Sequence, residues 1–366
     1  MAEQLKYLFS EEFVDLIINK TKKHYLSFDE ESFKNTVFDM SWEKLELKER
    51  MRHIVLVFNT FLPLDYVEQL NILKKVKSDL NYDSSMAFQS MIFQDFVEVY
   101  GLEDYENSII ALEVFTINSS SEFAIRQFIL KYEDKTMNQM KIWAKDKNEH
   151  IRRLASEGCR PRLPWAISLP IFKKDPFKVL EIIELLKHDK SKYVQKSVAN
   201  NLNDISKDNP RLVIDFVRKN LGNSKDLDWI CKHASRTLLK KGEKEILELF
   251  GFISSSVINI INFDYDKSVE ISNHLNFSFT LQSDEVLGNL RVEYFIYYKK
   301  ANEKHSKKIF MISQNEIKIK EKDFVKKQSF KNMTTRKHYL GEHFISIVIN
   351  GIEKEKRSFT LNDTSN

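Results

Sequence analysis

Residues 148–158, NEHIRRLASEG, and residues 191–201, SKYVQKSVANN, decide how this chain is read. In both, apolar residues return every three or four positions with polar or basic residues between them, the period of a helix that buries one face. Two more segments align with them, SSEFAIRQFIL at 120–130 and LDWICKHASRT at 227–237. Ile125, Ile151, Val194 and Ile230 take equivalent places, each directly after an aromatic, Ala or His. The steps between these anchors are 26, 43 and 36 residues. That spacing is irregular, yet within the range of stacked helix-pair repeats.

Working outward, residues 1–250 read as helical throughout. FSEEFVDLIINKTKKHYL at 9–26 and DYVEQLNILKKVKSDL at 65–80 carry the same period, and Ser10 has the chemistry of an N-cap. The longest step contains the insertion CRPRLPWAISLPIF, and prolines 161, 164, 170 and 176 make up four of the six in the chain. Proline lacks an amide donor and clashes with the preceding turn. The cluster is therefore predicted to be a rigid loop or a string of helix starts, and loops held by rigid helices are where recognition concentrates.

Beyond about residue 255 the period changes from helical to two. HLNFSFTLQ, LRVEYFIYYKK, KKIFMIS, EIKIK, FVKKQSF, HFISIVING and KRSFTL alternate apolar and polar residues, the pattern of half-buried antiparallel strands. About seven strands in such a length fit a sandwich of immunoglobulin type. The expected architecture is mainly α: an α-α superhelix (a HEAT-like repeat solenoid) over 1–254 and an antiparallel immunoglobulin-like β-sandwich over 257–366, with the boundary near Ser254–Ser256.

Composition narrows the function. The 366 residues carry a formal charge of +4, but it is unevenly spread: residues 1–140 sum to −9, 141–250 to +9 and 251–366 to +4. A basic middle third points to an anionic partner, nucleic acid first. No apolar run is long enough to span a membrane, the first residues lack the look of a targeting peptide, and two cysteines, Cys159 and Cys231, suit a reducing cytoplasm. GxxxxGK[ST], HExxH, paired CxxC, GxGxxG and GxSxG are all absent, so neither a metal nor a nucleotide cofactor is expected.

What remains is the run from His150 to Asp204. RRLASEGCRPRLPWA, SVANNLNDISKDNP and SSEFAIRQF resemble the DNA alkylation repair glycosylases of HEAT-like repeat type, the AlkC/AlkD superfamily, and within it the AlkC branch. KNMTTRKHYLGEH at 331–343 resembles a basic segment of the sandwich found in part of that branch. The resemblance covers most of the chain and is weakest over residues 1–90. It implies a monofunctional glycosylase of base-excision repair, acting without a cofactor on cationic N3-alkylated bases in double-stranded DNA. Those bases are chiefly 3-methyladenine, with 3-methylcytosine added for the AlkC type. A monomer in the bacterial cytoplasm is expected, with no membrane or obligate protein partner.

Such chemistry needs carboxylates that stabilise an oxocarbenium-like sugar and hold water, and an aromatic face for the cation. The resemblance assigns Asp204, Glu157 and Glu122 as the catalytic acids and Trp165 as the aromatic wall beside the lesion. From spacing alone, Asp204 could bond Asn200, and Glu157 and Glu122 could pair at i, i+4 with Arg153 and Arg126. Gly158 is expected to end its helix in the left-handed conformation, and Trp143 and Trp229 to lie in the core. Arg152, Arg153, Arg160, Arg162, Lys192 and Lys196 are expected as phosphate contacts, with Arg336 and Lys337 as contacts from the sandwich. The competing reading is a non-catalytic repeat scaffold that binds nucleic acid or an acidic protein.

Overall fold

The computed structural model describes residues 5–80, 86–252, 258–332 and 337–363. They fall into two compact units, Met1–Val213 with Asn220–Ala234, and Ile214–Lys219 with Ser235–Asn366. The strands begin at Asn259, while the second unit already includes the helices Arg236–Lys241 and Lys244–Leu249. Residues 253–257, where the change of composition suggests a boundary, lie outside the described residues.

The first unit is an array of helices whose ends follow local chemistry. Ser10 accepts the Phe13 amide at the start of Glu11–His24. Asn148 does the same for His150 at the start of Glu149–Glu157, each satisfying an amide that has no partner within its helix. The proline cluster acts in both expected ways. Pro161 and Pro164 lie in an irregular loop, whereas Pro170 takes the first turn of Pro170–Lys174 and Pro176 caps Phe177–Leu186. The repeat segments stack: helix Lys192–Ile205 packs between Glu149–Glu157 and Lys225–Ala234. Val194, Val198, Leu202, Ile151, Leu154 and Ile230 are buried along these contacts.

In the second unit, eight strands are found among the described residues: β1 Asn259–Tyr265, β2 Ser268–Glu270, β3 His274–Gln282, β4 Gly288–Lys299, β5 His305–Ile317, β6 Glu321–Ser329, β7 Gly341–Ile349 and β8 Ile352–Asn362. One sheet has the order β1-β3-β6 and the other β2-β8-β7-β4-β5, antiparallel except for the β2–β8 pair. EIKIK is not a separate strand. Glu316 and Ile317 finish β5, and the rest is the turn into β6. The inward residues Leu275, Phe277, Phe279, Val292, Tyr294, Ile296, Ile345 and Ile347 form the core of this sandwich.

Asn350 and Gly351 both have positive φ, as the tight β7–β8 turn requires. A Cβ on Gly351 would sit 2.8 Å from the Gly242 Cα, so the helix end and the turn meet glycine to glycine. That contact places the last helices with the sandwich.

Candidate active site

Three segments converge in the first unit: the turn before helix Ile125–Lys131, the helix Glu149–Glu157 with the loop after it, and the C-terminal end of Lys192–Ile205. Their charged side chains form a ladder of alternating sign. Glu122 Oε2 accepts from Arg153 at 2.6 Å and from Ser120 Oγ at 2.6 Å. Arg153 lies 3.7 Å from Glu157 Oε1, and Arg160 donates to that same oxygen at 2.6 Å. Arg160 also donates to Asp204 Oδ2 at 2.8 Å, and Lys207 donates to Asp204 Oδ1 at 2.8 Å. Ser197 Oγ donates to Glu157 Oε2 at 2.6 Å.

The ladder is largely dry. Glu157, Arg160 and Asp204 expose 6%, 7% and 2% of their side chains, against 36% for Lys207. Burial alone would make Arg153 and Arg160 give up their protons more easily. The neighbouring carboxylates reverse that and raise both above the usual guanidinium value: Glu122 and Glu157 act on Arg153, Glu157 and Asp204 on Arg160. Desolvating each ion costs several kcal/mol, and attraction offsets it only when partners are this close. Three acids and three bases therefore balance each other in a preorganised, low-dielectric cluster.

The structure rearranges several pairings expected from spacing. Asn200 meets His233 Nε2 at 3.0 Å, not Asp204. Arg126 bonds only backbone carbonyls, not Glu122. Arg153 turns to Glu122 more closely than to Glu157, one turn away. Gly158 ends its helix right-handed, at φ −64°. Its lack of a side chain serves close packing, since a Cβ would approach Ile125 Cγ2 to 2.7 Å.

Arg153 and Arg160, read from the sequence as open phosphate contacts, are instead inside the acid cluster. Arg152 is held bidentately by Asp189, and Arg162 by Asp208. Lys192 pairs with Asp226 on an exposed surface, and Lys196 and Lys337 are exposed. Arg336 lies outside the described residues.

Trp165 is 63% exposed and has φ +64°, a conformation bulky residues adopt only when the surroundings impose it. Trp143 is buried and donates to Glu113 at 2.7 Å. Trp229 is not in the core: it is 41% exposed and stacks on His233 at 5.0 Å.

Tyr193 went unnoticed as a site residue. The Arg153 guanidinium lies 4.7 Å over its ring, and the residue is 39% exposed. The available signal was its place directly before the repeat anchor Val194.

The family model for the DNA alkylation repair enzyme matches residues 74–246. A model described as the C-terminal Ig-like domain of the uncharacterised protein YhaZ matches 261–363. An uncharacterised YhaZ protein of Bacillus subtilis is 43% identical over 98% of this chain and 99% of its own length. An alkylpurine DNA glycosylase, AlkC of Pseudomonas fluorescens, is 34% identical. Its structure was solved bound to DNA containing an abasic site analog. It matches 98% of this chain and 100% of that one with a TM-score of 0.92.

The chain belongs to the DNA alkylation repair enzyme family. The Ig-like reading of the strands agrees with the second match, and the helical array with the first. Among the described residues, no helix is long and apolar enough to cross a membrane.

Proposed function

We propose that this member of the family is a monofunctional DNA glycosylase that hydrolyses the N-glycosidic bond of cationic N3-alkylated bases in duplex DNA. 3-Methyladenine is its chief substrate, and 3-methylcytosine carries the same positive charge as a secondary one. The observation that carries the reading is the buried ladder in which Glu122, Glu157 and Asp204 are each held by a guanidinium. The likeness to an alkylpurine DNA glycosylase over nearly the whole chain supports it.

The chemistry follows from charge. An alkylated ring nitrogen makes the base positive and a good leaving group, and as it departs the sugar takes up positive charge. Fixed carboxylates aimed at that developing charge need no reorganisation when the bond breaks. A neutral base gains little from the same acids, so the arrangement selects cationic lesions. Asp204 is the acid that holds the attacking water and stabilises the sugar. Its Oδ2 stays on Arg160, which Glu157 fixes from the other side. Its Oδ1 becomes available when Lys207, the exposed member of the ladder, turns to a phosphate. Glu157 and Glu122 face the lesion and Trp165 offers its ring to the cation. Lys196, Lys192, Arg152 and Arg162 contact phosphates, the paired ones after exchanging their carboxylates for DNA, and Arg336 and Lys337 contact the backbone from the sandwich. The helical repeats bind the DNA and carry the chemistry, and the protein works as a monomer in the bacterial cytoplasm without a cofactor.

The test is incubation with methylated duplex DNA and chromatography of the released bases. Free 3-methyladenine with intact, abasic strands is the expected result. DNA bound without release makes the protein a scaffold, and a borohydride-trapped covalent adduct contradicts the monofunctional mechanism.

A further inference from the structure

Arg126 is fully buried, and none of its hydrogen bonds goes to a carboxylate. Its Nε donates to the Ile167 carbonyl at 2.6 Å. Its Nη1 donates to the carbonyls of Gly158 and Arg160 at 3.0 and 2.8 Å. Burying a cation whose hydrogen bonds go to backbone carbonyls is costly. Desolvation pushes its pKa down to about 10.

The three carbonyls show what that cost secures. They lie at both ends of the loop that follows helix Glu149–Glu157, and between them sit Arg160, which bridges Glu157 and Asp204, and Trp165, exposed at positive φ. The Leu169 amide closes the base of the loop on the Pro161 carbonyl at 3.1 Å. A second long-range contact reaches the loop's tip. Lys48, on helix Leu47–Phe61, donates to the Trp165 carbonyl at 2.9 Å. The same ammonium lies 4.8 Å over the ring of Phe123, the neighbour of Glu122.

We propose that Arg126 is a positioning residue, with Lys48 as a second anchor, and that together they hold residues 158–169 in the conformation that aims Arg160 at the acids and presents the Trp165 ring. Arg126 hydrogen-bonds neither the acids nor the reacting atoms and acts by holding the loop. Lysine cannot replace it, because one ammonium cannot span carbonyls at both ends of the loop. The N-terminal helices thereby gain a role beyond ending the array, since Lys48 fixes the strained residue from there. This inference rests on the glycosylase reading.

The test uses the full chain in native form and as Arg126→Lys and Lys48→Met, with two independent readouts. One is single-turnover base release from methylated duplex DNA. The other is acrylamide quenching of Trp165 fluorescence, isolated by subtracting the matched Trp165→Phe protein. Arg126→Lys is expected to slow release by about tenfold or more, since small misplacements of reacting groups are this costly. Quenching of Trp165 should rise, while the helical circular dichroism and affinity for duplex with an abasic-site analogue stay close to native. Lys48→Met should move both readouts the same way by about threefold. If Arg126→Lys does not fold, the exposed Lys48→Met variant decides by the same readouts. Release within about twofold of native with unchanged quenching overturns the proposal, as does a lowered Tm with both readouts native. Failure of the native protein to release any base contradicts the glycosylase reading instead, and quenching still reports whether Arg126 holds the loop.

Discussion

The helical unit and the sandwich solve the same folding problem with different interiors. The sandwich core is built from alternating apolar residues such as Phe277, Val292, Ile345 and Leu361. Among the described residues, its most buried ion pair is a single short one, Arg291 with Glu293, on the outer face of β4. The helical unit buries apolar residues equally well, yet it also takes Arg126, Glu157, Arg160, Asn201 and Asp204 out of water. Apolar residues of similar volume fill such space at no loss of stability, and often with a gain. What sets the helical unit apart is that Glu157, Arg160 and Asp204 form one connected cluster, and it lies in the region matched by the DNA alkylation repair model.

This contrast can be broken most severely at Arg160. Arg160→Met leaves Glu157 and Asp204 buried without their shared partner, which should cost about 3–5 kcal/mol. The melting temperature of the helical unit should fall by roughly 10 °C, and base release should be lost. Calorimetry that assigns the whole loss to the sandwich, or finds none, denies that the ladder is a connected network.

Trp165→Ala sharpens the comparison by separating function from stability within one unit. The ring is mostly exposed and its backbone strained, so Tm should stay within about 2 °C. Single-turnover release should still drop by about tenfold or more. A large fall in Tm with native release would make Trp165 an ordinary packing residue.

The smallest effect is in the sandwich. His343 is buried, which holds its imidazole below the usual 6.5, and its Nδ1 accepts the Lys299 amide while its Nε2 meets the Tyr339 carbonyl at 2.8 Å. The folded state therefore prefers the neutral ring. Its contribution is complete above pH 6.5 and is lost as pH falls from there toward the lower folded value. His343→Phe, with His305 and His338 left in place, should be about 1 kcal/mol less stable than native at pH 8. That gap should narrow below pH 6.5. A gap independent of pH rules out titration of His343 as the cause.

How far the sequence reaches differs between the two units for a physical reason. Periodicity is local, so strands such as HLNFSFTLQ and helices such as Glu11–His24 with its Ser10 cap were legible in order. β1 and β2 were not: one is broken by a register shift between Ile261 and Asp264, and the other is three residues long. In the site, Glu122, Glu157 and Asp204 were singled out, and the structure draws them into one ladder. The partners of the bases were not legible, because a spacing rule offers only neighbours on the same helix. Arg153 finds Glu122 from 31 residues away and Arg160 finds Asp204 from 44. Both look like solvated charges until the repeats are stacked. Trp229 misled for the converse reason, since a large aromatic on a helix face reads as core whether or not a neighbour covers it.

The measurement that tests the central claim most directly is base release by Asp204→Asn beside the native protein. Both are assayed in single turnover on the same methylated duplex, with affinity for duplex carrying an abasic-site analogue measured in parallel. The substitution keeps shape and burial but removes the charge that the proposed mechanism assigns to stabilising the sugar. Release should fall by about a thousandfold or more, while DNA affinity stays equal or rises because one negative charge near phosphate is gone. Native release by Asp204→Asn, or release lost only together with DNA binding, would contradict the assignment of the buried ladder as the catalytic site.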